Sequence, residues 1–222
     1  MKEKVIIFDM DGVLIDSEPA YLEMNKKLFT QFGIEMDDEN YNLLVGMPSL
    51  PMWTMLKEKY DLINEVSEFI ELEKQRMNEI LDSELITKPI NGIKSLLDLL
   101  KEKNYKLSVA SSSAKANIKF VLDKLSLKKY FDFVISGEEV ANGKPAPDIF
   151  LKVAGRLNMK SRNCIVIEDS TNGVKAAAAA GMKCIGFRNN DTNLQDLTGA
   201  DLIVQSFEGK DLKKIIKVIE KN

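Results

Sequence analysis

The chain has 222 residues, 45% of them hydrophobic and 29% charged, with a formal net charge of −3. That is enough apolar material for one large domain or a core with a small insert, and the slight acidic balance offers no basic field of the kind that gathers nucleic acid. There is no histidine, which excludes a Ser-His-Asp triad, a Cys-His pair and histidine-ligated zinc and leaves acid–base work to carboxylates, lysine, tyrosine or thiols.

The chain starts on KVIIF at residues 4–8. A short apolar run without polar alternation, stopped by acids and a glycine, reads as a strand buried on both faces rather than as a signal peptide. The rhythm then changes. Residues 17–85 carry no clear strand and read as helices: PAYLEMNKKLFTQFG at 19–33, then segments near 37–45, 49–59 and 64–82. Pro89 and Gly92 punctuate the return. From there helical patterns at 92–103, 114–125, 147–157, 172–181 and 210–221 alternate with apolar runs at 106–111, 133–136, 164–169, 183–187 and 201–205.

Short strands alternating with helices predict an α/β fold built on a doubly wound parallel sheet. The expected organisation is a core of residues 1–16 and 86–222, with residues 17–85 as a small helical cap inserted after the first strand. Cys164 and Cys184 lie in apolar segments, too far apart for a CxxC pair, and read as buried free thiols. No apolar run approaches the ~20 residues of a membrane span, so a cytoplasmic location is expected.

In open parallel sheets ligands bind beyond the carboxyl ends of the strands, and four predicted strand ends here carry chemistry. The first ends in Asp9 and Asp11 with Gly12 beside them, the second in Ser111, Ser112 and Ser113, and the fourth in Glu168 and Asp169. Lys144 follows the third in SGEEVANGKPAPDIF. Asp9, Glu168 and Asp169 make an oxygen-rich set suited to a hard cation, by default Mg²⁺. Ser111 and the amides opening the next helix can donate to phosphate oxygens, Lys144 can balance developing charge, and Gly12 permits the tight turn that aims Asp11 back at the site. A carboxylate next to such a metal can attack phosphorus.

These segments, FDMDGVLIDSEP, SVASSS, GKPAPDIF and IEDSTNGVKAAAAAGM, resemble the four motifs of the haloacid dehalogenase-like superfamily, in the branch with a helical cap after the first strand. The likeness covers nearly the whole core. It is nearest to the sugar-phosphate phosphatases and β-phosphoglucomutase. The resemblance implies Asp9 as nucleophile, Asp11 as general acid–base, and Ser111, Ser112 and Lys144 on the transferring phosphoryl group. It implies Mg²⁺ held by Asp9, the main-chain carbonyl of Asp11 and Asp169, with Glu168 close by or acting through water. A specificity loop of the cap, with Gly46, Met47, Ser49 and Trp53, would cover the leaving group, although its apolar residues also suit cap packing.

Two departures matter. Tyr21 stands where the mutase branch carries a histidine, and the loop LLVGMPSLPMW at 43–53 has no lysine or arginine to grip a second phosphate. Lys57, Lys59 or Arg76 would have to supply that grip. The expected activity is therefore Mg²⁺-dependent hydrolysis of a small phosphorylated metabolite, a sugar phosphate foremost, through an aspartyl-phosphate. A phosphomutase is the alternative within the family, and a non-hydrolytic phospho-acceptor module of the receiver kind is the alternative outside it. No nucleic-acid or membrane partner is expected, and a monomer is favoured over an oligomer.

Overall fold

The computed structural model describes residues 4–37, 40, 41, 44, 47, 49–81, 88–189 and 195–221, with residues 78–81 described by their backbone alone. In chain order the elements are β1 (Val5–Phe8), α1 (Glu18–Gln31), α2 (Ser49–Lys59), α3 (Val66–Leu81), α4 (Ile93–Glu102), β2 (Lys106–Ser111), α5 (Lys115–Lys124), β3 (Phe133–Ser136), α6 (Asp148–Arg156), β4 (Cys164–Glu168), α7 (Thr171–Ala179), β5 (Lys183–Phe187), β6 (Leu202–Val204) and α8 (Gly209–Lys221). The expected helix near 37–45 falls largely outside the described residues.

The chain divides into two compact units, Met1–Asp16 with Thr87–Asn222, and Ser17–Ile86. The larger unit is a parallel sheet of six strands in the order β3-β2-β1-β4-β5-β6. The apolar runs form its interior because each needs cover on both faces. Val5, Ile6, Ile7 and Phe8 are all fully buried. Alternation along β1 sends Val5 and Ile7 to the face that packs with Phe150 and Val153 of α6 and Val174 and Ala177 of α7. Ala176, Ala177 and Ala180 are buried and leave little side chain between helix and sheet, while Ala178 and Ala179 are exposed.

The strand order reverses direction at β1, whose neighbours are β2 on one side and β4 on the other. Phe8 sits level with Val109 and with Ile167, and the Asp9 amide extends the ladder to the Ile167 carbonyl at 3.0 Å. Residues 9, 111 and 168 therefore come out at the carboxyl edge of three adjacent strands. At the opposite end of β1, the buried Lys4 amine donates to the Ile219 and Glu220 carbonyls near the end of α8, meeting acceptors that a helix C-terminus cannot satisfy itself.

The smaller unit packs α1, α2 and α3 around aromatic rings. Trp53 stacks on Phe69 with centroids 4.7 Å apart and 13° between planes, and Phe29 and Phe32 meet the indole edge-on. Pro19 occupies the first turn of α1, where a missing N–H costs nothing. Both cysteines are buried free thiols. Burial pushes the Cys164 thiol up to about 11 and raises that of Cys184 as well, so neither is a reactive thiolate.

Candidate active site

The β1 edge supplies the first two acids. Beyond Phe8 the chain closes a tight turn in which the Val13, Leu14 and Ile15 amides all point at the Met10 carbonyl, and the Gly12 amide bonds Ile15. Gly12 takes φ +74°, and a Cβ there would lie 1.9 Å from Asp169 Oδ2. Only glycine fits, both for the backbone angle and because the Asp169 carboxyl occupies the space a side chain would need.

Lys144 is the centre of the charge arrangement. Its buried ammonium donates to Asp9 Oδ1 at 2.5 Å, to Glu168 Oε1 at 2.6 Å and to the Ala110 carbonyl at 3.1 Å, and it lies 5.2 Å from the Phe150 ring centroid. Glu168 is held from its other side. Its Oε2 accepts from the Asp169 amide, the Ser170 amide and the Ser170 hydroxyl, each at 2.9 Å. Ser170 Oγ also accepts from the Gly173 amide and caps α7. A Cβ on Gly173 would lie 1.8 Å from the Glu168 carboxyl carbon, so this close packing is part of the design.

Burial pushes the Asp9 carboxyl up to about 8; Lys144 offsets part of this, while Glu168 and Asp11 add to it. Asp169 is raised by burial, then by Glu168 and Asp9. Burial works against the Lys144 ammonium, but the charges of Asp9 and Glu168 outweigh it and raise its pKa. Burial is the main cause for both aspartates, and the one buried ammonium, paired with Asp9 and Glu168, only partly offsets it. A divalent cation beside Asp9 and Asp169 fits this set, with hard oxygen donors and uncompensated buried carboxylates.

Among the described residues no three acidic, histidine or cysteine side chains converge as a ready-made metal cluster. The fit is thus two carboxylates with main-chain and solvent oxygens. Glu168, expected close to the metal or acting through water, bonds Lys144 through Oε1 and the 169–170 turn through Oε2.

The serine run is sorted by geometry. Ser111 Oγ lies 3.5 Å from Asp11 Oδ2, and Ser113 Oγ donates to that same oxygen at 2.8 Å. Ser112, expected on the phosphoryl group, is exposed. The structure therefore brings Asp9, Asp11, Ser111, Lys144, Glu168 and Asp169 to one edge and adds Ser113, Ser170 and Gly173. The strand ends at Ser111 and the chain bends at 112–113, so strand alternation in the sequence does not single out Ser113.

In the smaller unit, Gly46 lies outside the described residues. Met47 is half-buried, and Tyr21 is half-buried on α1. Ser49 opens α2 and bonds the Glu73 carboxyl. Trp53, expected in a substrate-covering loop, is fully buried in the aromatic core with its indole N–H on Glu73 at 3.1 Å. Lys57 is engaged by Glu65 and by the Asn64 carbonyl, and the Lys59 ammonium lies 5.4 Å from the Tyr60 ring centroid.

The sequence profile of the haloacid dehalogenase-like hydrolases matches residues 6–187. A phosphorylated carbohydrates phosphatase of Thermotoga maritima is 33% identical over 182 residues, covering 82% of this chain and 83% of that protein. The β-phosphoglucomutase of Bacillus subtilis is 32% identical over 209 residues, covering 91% and 89%. The crystal structure of a β-phosphoglucomutase from Clostridium difficile superposes with a TM-score of 0.79 at 29% identity, covering 99% of this chain and 98% of that one. The chain belongs to the haloacid dehalogenase-like hydrolase family.

Proposed function

We propose that this protein is a Mg²⁺-dependent phosphatase of small phosphorylated metabolites, sugar phosphates foremost, working through an aspartyl-phosphate. The observation that carries the reading is Lys144, buried and bridging Asp9 and Glu168 at the edge where Asp11 and Ser111 also meet. Its similarity to a phosphorylated carbohydrates phosphatase supports the substrate class.

Asp9 attacks phosphorus and the bond to the leaving oxygen breaks. Asp11 gives its proton to that oxygen, so an alcohol departs instead of an alkoxide. Asp11, now a carboxylate, takes a proton from water as the water attacks the aspartyl-phosphate, which releases phosphate and restores Asp9. Lys144 offsets charge on the transferring group, and the Ser111 hydroxyl donates to one of its oxygens. Mg²⁺, held by Asp9, the Asp11 carbonyl and Asp169, would neutralise phosphoryl charge. The helical unit would act as the cap that excludes water and selects the substrate.

The test is a panel of phosphorylated metabolites assayed for free phosphate with and without Mg²⁺. Asp9→Asn should lower turnover on the order of a thousandfold or more while leaving the melting curve cooperative. Substantial remaining activity in that variant would sink the reading.

A phosphomutase is the second reading, favoured by the likeness to the B. subtilis mutase. Tyr21 and the uncharged loop at 43–53 oppose it, and Lys57 is already engaged inside its own unit. Given glucose 1-phosphate and a trace of bisphosphate, the phosphatase releases phosphate, whereas a mutase yields the isomer. No described helix is long and apolar enough to cross a membrane, and the proposal is of a cytoplasmic monomer acting on free metabolites.

A further inference from the structure

We infer that Ser113 is a positioning residue for proton transfer, setting the Asp11 carboxyl where it can serve the leaving group. The inference rests on the reading of Asp11 as proton donor. The Asp11 backbone is fixed by its own turn, with the Gly12 amide on Ile15 and a bridge between residues 11 and 15. That turn leaves the side chain free to rotate about its two torsions. Ser113 removes this freedom by donating to Oδ2 at 2.8 Å, well inside the range of a good hydrogen bond, whereas the 3.5 Å approach of Ser111 is at the outer limit.

The direction is set by Ser111. Asp11 Oδ2 is drawn to the side of the hydroxyl proposed to hold a phosphate oxygen, and the leaving oxygen is bonded to the same phosphorus. Ser113 is itself held firmly. The buried Ser136 hydroxyl donates to the Ser113 carbonyl at 2.7 Å, and the Ser113 amide donates to Ser111 Oγ at 3.1 Å. Ser136 in turn is fixed by the Glu138 amide on its hydroxyl and by Glu139 on its amide. A chain of contacts thus runs from the end of β3 through the end of β2 to the side chain of Asp11.

The competing reading is that Ser113 only stabilises the 111–114 turn. The two differ in leaving-group dependence. Phenyl phosphate needs a proton on its departing oxygen more than p-nitrophenyl phosphate, whose phenolate leaves readily, and the esters are similar in shape. Ser113→Ala should lower kcat/KM for phenyl phosphate about tenfold more than for p-nitrophenyl phosphate, a part of the 10²–10⁴ that general acid catalysis contributes. Its melting temperature should stay near wild type, and Ser113→Thr should restore most of the loss. Asp11→Asn should show the same selectivity more strongly.

An equal loss on both esters, no loss, or a gain in Ser113→Ala while Asp11→Asn stays selective overturns the role of Ser113. If Asp11→Asn is itself unselective, the proton-donor reading fails and the inference falls with it.

Discussion

At Gly12 two constraints coincide, a positive φ and an Asp169 oxygen where a Cβ would sit. Gly12→Ala must therefore either shift the turn or push Asp169 aside. The backbone strain alone costs on the order of 1 kcal/mol. The larger effect should be on phosphate release, with activity down at least tenfold and more Mg²⁺ needed for half-maximal rate. A Mg²⁺ titration of both proteins checks this, and an unchanged midpoint would count against Asp169 as a metal-holding group.

Gly173 offers the parallel case on the other carboxylate. Gly173→Ala displaces Glu168 and so loosens Lys144, which loses one of its two acidic partners. If Glu168 acts through Lys144 alone, activity should fall at least tenfold while the Mg²⁺ midpoint stays within about twofold. A shifted midpoint would place Glu168 at the metal site.

At the scale of elements, the helical unit depends on one aromatic cluster. Trp53→Ala removes a fully buried indole stacked on Phe69, and truncations of this kind cost about 3–5 kcal/mol. The full chain should lose its melting cooperativity or a large part of its melting temperature, with Trp53→Phe much milder. Near-wild-type melting of Trp53→Ala would contradict the packing. The proposed role of this unit in substrate selection is tested at Met47, which lies outside the aromatic core.

Elements were legible in the sequence to the extent that they are local. KVIIF and CIVIED announce strands because an apolar run without alternation needs cover on both faces, and DSEP opens a helical stretch because proline suits a first turn. For Trp53 the sequence left packing and substrate contact both open, because whether an apolar residue faces a ligand or a neighbouring ring depends on a partner such as Phe69 in another helix. In the site, Asp9, Asp11 and Asp169 could be singled out from their places at strand ends, and Lys144 from the segment after the third strand. The engagement of Glu168 could not, since it is decided by an ion pair with Lys144 and by amides of the 169–170 turn.

For the molecule as a whole, buried charge links metal, proton and stability. In chelator-treated protein the Asp9 carboxyl ionises near 8 when folded and near its ordinary 3.8 when unfolded. Between those values the folded state binds the extra proton, so stability should fall as pH rises through that window. The proposed Mg²⁺ would compete with protons for these oxygens, so its stabilisation should grow over the same range. At about a hundredfold excess over its dissociation constant it should contribute about 2.7 kcal/mol, or about 5–10 °C in melting temperature. Differential scanning fluorimetry with and without Mg²⁺ at pH 6 and pH 8 reads this directly. A larger shift at pH 6, or one retained in Asp169→Asn, would contradict the assignment.

By itself, the sequence determined the alternation of strands and helices, the helical interruption after the first strand, and the chemistry of residues at strand ends. Hydrophobic period and turn residues act over a few positions and can be read there. The tertiary structure alone decided that β1 lies between β2 and β4, that Lys144 bridges Asp9 and Glu168, and that Ser113 rather than Ser112 reaches Asp11. Each of these depends on register between segments some 24 to 160 positions apart, fixed only when the sheet packs.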